Sequence, residues 1–154
     1  MNKIFEEHVS DAQASMVRLA LDYAGATPDE VFIFVASEDG ISMFDFFYRL
    51  NGSVVEKEQL NDVRKSGGGM YDSLNESLAW VLDAGLDEID ALEEKCNEFG
   101  AEMPTEIRIH YVVGSNEMRA KMSYEPKFSH SDDLTPGSLF DSWVGDVRGG
   151  SYPL

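Results

Sequence analysis

The chain has 154 residues, 43% of them hydrophobic and 27% charged, a globular rather than a disordered composition. A single domain of this length buries about 68–70% of its unfolded surface, so its core needs no metal or disulfide. The formal net charge of −17 repels phosphate backbones and steers cationic partners, which argues against direct nucleic-acid binding. Cys96 is the one cysteine, so no intrachain disulfide can form. The first residues contain no apolar h-region and no run reaches membrane-spanning length, which makes a cytoplasmic protein the expectation.

Residues 3–24 read as a first helix, with Phe5, Val9, Ala12, Met16, Leu19 and Tyr23 recurring by threes and fours and Gly25 as its stop. Ser10 with Gln13 offers a second possible start. Three strands should follow, over 31–37, 41–50 and 53–60. Asp39-Gly40 and Asn51-Gly52 are strong two-residue hairpin signals between them. In the middle strand Phe44, Phe46, Tyr48 and Leu50 share one face, while Ile41, Met43, Asp45, Phe47 and Arg49 share the other. Both faces are partly apolar, so each should be covered or used. The connector NDVRKSGGG has the look of a phosphate loop but lacks the Walker spacing, and a flexible linker is expected there.

Ser73 to Phe99 reads as one long helix opened by a capping box, Ser73 with Glu76. Leu74, Leu78, Val81, Ile89, Leu92, Cys96 and Phe99 form an apolar stripe. Glu76, Asp83, Asp87, Asp90, Glu94 and Glu98 lie opposite, together with Trp80. Gly85 costs this helix about 1 kcal/mol relative to Ala and permits a bend. The carboxylates at 83, 87, 90 and 94 form a like-charge ladder at i+3 and i+4 spacing, and a cationic partner would relieve its repulsion. Trp80 has two readings. It is either an exposed interface anchor or a side chain covered by the C-terminal helix or the 61–70 connector.

After Pro104, TEIRIHYVVG and MRAKMSYEP should form a last hairpin. Ile107, Ile109, Tyr111, Met118, Ala120, Met122 and Tyr124 would be inside, and a basic wet face would carry Arg108, Arg119 and Lys121. Residues 127–154 form a tail with a short helix, Thr135 as N-cap, Pro136 at its first position and Leu139, Trp143 and Val147 inward. The expected fold is a single α+β domain over 1–154, in the order α-β-β-β-α-β-β-α, with one antiparallel sheet of about five strands packed by the long acidic helix.

Catalytic candidates are few. His8, His110 and His130 fall in different elements without metal-ligand spacing. Ser129-His130-Ser131-Asp132-Asp133 holds triad residue types, but neighbours in an extended segment point apart, and a polar loop is the better reading. Asp87, Asp90 and Glu94 on a rigid helix do not wrap Ca²⁺ as an EF-hand loop does. No catalytic residue, metal or cofactor is expected.

The succession of amphipathic helix, aromatic-rich hairpin (FIFVASEDGISMFDFFYRLNG), long acidic helix and last strand pair, with the tail SDDLTPGSLFDSW, resembles the YezG-like antitoxin family. That resemblance implies a bacterial immunity protein of a polymorphic toxin system, which binds and neutralises a secreted toxin, in several cases a nuclease. The expected partner is then a basic toxin domain; the acidic helix face, read from its own pattern and not carried over from the family, would meet it with Trp80, Asp83, Asp87, Asp90 and Glu94. A membrane or a direct nucleic-acid contact is not expected, and the oligomeric state is open. The alternative is an acidic secretion chaperone or adaptor that holds an apolar segment on an uncovered sheet face around Phe44, Phe46 and Tyr48.

Overall fold

The central apolar run of the chain, Val31 to Val35, lies fully buried on both of its faces, and the rest of the fold is built outward from it. The computed structural model describes residues 3–25, 27–60, 71–151 and 153–154, with the side chains of 71–76 outside the description. Its elements are α1 (Phe5–Ala24), β1 (Glu30–Glu38), β2 (Ile41–Leu50), β3 (Ser53–Glu56), α2 (Tyr71–Phe99), β4 (Glu106–Val112), β5 (Glu117–Ser123) and α3 (Pro136–Arg148). The strands form one antiparallel sheet in the order β3-β2-β1-β4-β5, an α+β fold.

The hairpins form where the turn residues direct them. Glu38 pairs with Ile41 around Asp39-Gly40, and Leu50 pairs with Ser53 around Asn51-Gly52. All four turn residues have positive φ, between 51° and 82°, as the tight mirror-image turn requires. At the start of α1 the Glu7 carboxylate accepts from the Ile4 N–H at 3.0 Å, so the helix begins there rather than at Ser10.

Each sheet face has its own cover. On one side Val31, Ile33, Val35, Phe44, Phe46, Tyr48, Ile107 and Ile109 pack with Met16, Val17 and Ala20 of α1 and Val81, Ile89, Leu92 and Cys96 of α2. The Tyr48 hydroxyl donates to the Ala20 carbonyl at 2.6 Å, which fixes α1 over the sheet. On the other side Phe32, Phe34 and Phe47 pack with Phe140, Trp143, Val144 and Val147 of α3 and with Phe128. Trp143 meets the rings of Phe32 and Phe47 edge-on, at 5.9 and 5.1 Å. The uncovered sheet face expected around Phe44, Phe46 and Tyr48 does not exist. All three are buried beneath α1 and α2.

Three expectations are corrected. The third strand stops at Glu56 and residues 57–60 are helical. Gln59 accepts from the Glu56 N–H at 2.9 Å, and Lys57 turns inward to Asp45 at 2.7 Å and lies over the Phe140 ring. Phe99 is exposed although it sits on the apolar stripe, because α2 ends there against Phe5 and His8 at the tip of α1. The last hairpin is not evenly half-buried: Ala120, Met122 and Tyr124 are exposed, while Arg108 lies over Trp143 and His110 stacks on Phe32. The glycine-rich connector, the Ser73–Glu76 capping box and the Leu74 side chain lie outside the described residues. Among the described residues no helix is long and apolar enough to cross a membrane.

Candidate functional site: the acidic face of α2

The buried positions of α2 are Val81, Gly85, Ile89, Leu92 and Cys96, a period that leaves the opposite side of the cylinder in water. That side carries Trp80, Asp83, Asp87, Asp90, Glu94 and Glu98, all exposed. From Trp80 to Glu94 the face runs about 21 Å at the helical rise of 1.5 Å per residue. The sequence therefore places its five candidate residues on one continuous surface, and the structure brings all five together.

Trp80 is the odd member of this face. It is 65% exposed, whereas the second tryptophan, Trp143, is 1% exposed. Covering by the C-terminal helix is excluded by topology, since α3 packs on the other side of the sheet. A large indole left in water forgoes roughly 2 kcal/mol or more of burial free energy. Its neighbours on the face are carboxylates, so a basic side chain brought there meets a ring face and counter-charges together.

The acids are crowded. Asp83, Asp87, Asp90 and Glu94 have no ion pair among the described residues, and Lys95 is committed to Glu98 at 3.2 Å. Burial in the α1–α2 groove first, and the charge of Asp87 second, hold the Glu88 carboxyl above its usual range. Such a face is assembled before any partner arrives, and a cation reaching it removes repulsion as well as gaining attraction.

The other candidates do not converge. Among the described residues no three His, Cys, Asp or Glu side chains gather where a metal ion could sit. Around the 129–133 segment, backbone N–H groups and the Ser131 hydroxyl set the course of the chain. The N–H groups of Lys127, Phe128 and Ser129 donate to the buried Glu38 carboxylate at 2.6, 3.3 and 2.6 Å, and Ser131 Oγ accepts from the N–H of Asp133 and Leu134. His130 is exposed beside them. The Glu30 carboxylate accepts from His110 Nε2 at 2.5 Å and from Arg49 Nε at 2.6 Å, a network that closes the end of β1.

The anchoring role of Glu38 escapes a sequence reading, because its partners lie about ninety residues away. Its only local signal is an acid closing a strand that is otherwise apolar. Neither protein-family models nor curated proteins match this chain, and the functional argument rests on the surface itself.

Proposed function

We propose that the protein is an immunity protein that binds a cationic toxin domain, a nuclease, through the exposed face of α2 and blocks its basic groove. The observation that carries the reading is Trp80, an exposed indole set on a rigid helix among carboxylates that have no ion pair among the described residues. Interface energy concentrates in such aromatic anchors, while surrounding charge sets encounter rate and partner choice. A nucleic-acid enzyme needs a basic groove for its substrate, and a preorganised acidic surface competes for that groove. The resemblance to YezG-like antitoxins supports the same reading.

Capture from the native host tests it. The wild-type chain should retain a basic protein whose nuclease activity appears on release and is suppressed on re-addition. A bait carrying D87K and E94K should lose that protein. Retention by the double variant would place the interface elsewhere.

A further inference from the structure

α1 packs over β1 and β4 and leaves the inner face of the edge strand β5 partly open. Two clefts lie end to end in that gap. The first, of about 500 Å³, is walled by Phe5, Val9, Ala120, Met122 and Tyr124, and the second, of about 400 Å³, by Val17, Leu21, Tyr111 and Met118. Together they follow α1 from Phe5 to Asp22, a groove of about 25 Å at the helical rise of 1.5 Å per residue. A helix forms its wall, and strand side chains form its floor.

One residue of the groove departs from its apolar character. Gln13 lines the first cleft at only 6% exposure, yet its carboxamide has no hydrogen-bond partner among the described residues. A buried amide left without a partner is costly, and binding pockets use a few such polar groups to orient an otherwise apolar ligand.

We infer that the groove holds an extended, apolar segment of a partner protein, with one backbone peptide group paired to Gln13 and a basic side chain beside Glu6. The carboxamide selects the chemistry. It offers N–H donors and a carbonyl acceptor, and a peptide group answers both. An acyl chain answers neither, and a helix has already used its backbone groups internally. The length agrees, since about eight extended residues at about 3.3 Å each span the groove. Charge selects the sequence. Glu6 borders the first cleft without an ion pair among the described residues, and the net charge of −17 favours a basic segment.

α2 packs on α1 and β2, away from this groove, so the inference stands apart from the acidic face of α2. The test titrates the full chain, methyl-labelled at methionine, with a capped octapeptide that begins with lysine and alternates leucine with threonine. Its controls are the same peptide methylated at its backbone nitrogens, and decanoate. The octapeptide should shift the Met118 and Met122 methyl signals, and Q13L should weaken its binding about tenfold. E6K should weaken it as well, and A120W, at an exposed position inside the groove, should abolish it. The methylated peptide should lose binding to the wild type, which makes the same comparison if Q13L fails to fold by circular dichroism. An octapeptide that leaves both methionine signals in place, binds wild type and Q13L equally, or is indifferent to E6K would overturn the inference, as would a groove that prefers decanoate.

Discussion

Gly85 of α2 sits directly against the ring of Phe44 of β2, and a Cβ at position 85 would overlap that ring. The long helix reaches the sheet because this position has no side chain. A glycine that weakens the helix locally is thus the contact that seats it.

G85A should therefore destabilise the protein, contrary to helix propensity. Alanine gains about 1 kcal/mol in the helix, while overpacking a filled core costs typically about 1–3 kcal/mol. Urea unfolding should show a lower midpoint for G85A, and trimming the ring with F44L should recover part of the loss. An unchanged or raised midpoint would mean that the Phe44 ring moves aside freely.

The two tryptophans should behave oppositely. Trp143 is buried among Phe32, Phe34 and Phe47, and its indole N–H donates to the Pro153 carbonyl at 2.6 Å. W143A should cost about 3–5 kcal/mol of stability. W80A should stay within about 0.5 kcal/mol of wild type, as a surface substitution does. Thermal melts of the two variants side by side check this.

Glu38 predicts an acid transition. Burial alone would push its carboxyl up, but the Ser129 hydroxyl and the N–H groups of Lys127, Ser129 and Phe128 outweigh it and hold the group at about 2. Its folded value lies below the unfolded one of 4.5. The stabilisation is therefore complete above the unfolded value and is lost as pH falls toward 2. E38Q should cost about 1–3 kcal/mol at neutral pH, and its stability should fall less between pH 5 and pH 2 than that of the wild type. Parallel slopes for the two proteins would assign the acid transition to other groups.

Local chemistry made much of the fold legible in the chain. Asp39-Gly40 and Asn51-Gly52 fix their turns by positive φ, and Thr135 caps α3 by accepting from the Ser138 N–H at 3.0 Å. The apolar stripe of α2 was readable from Val81 to Cys96 because burial follows the helical period. What escaped depends on distant partners. Lys57 leaves the strand direction to meet Asp45, Phe99 overhangs the core because of where α1 begins, and β5 alternates like a half-buried strand although α1 stops short of it. For the candidate site, spacing alone placed the carboxylates on one face. The exposure of Trp80 is not decidable from spacing, since it turns on which side of the sheet the C-terminal helix takes and on the 61–70 connector, which lies outside the described residues.

The most direct measurement is the association rate of the captured basic partner with the wild type and with D87K/E94K, at low and at high salt. Exposed charges are screened over about 10 Å at 0.1 M salt, so the wild-type rate should fall steeply as salt rises. The double variant should start slower and depend less on salt, and W80A should mainly raise the dissociation rate. Equal rates and equal salt slopes for wild type and D87K/E94K would contradict the α2 interface.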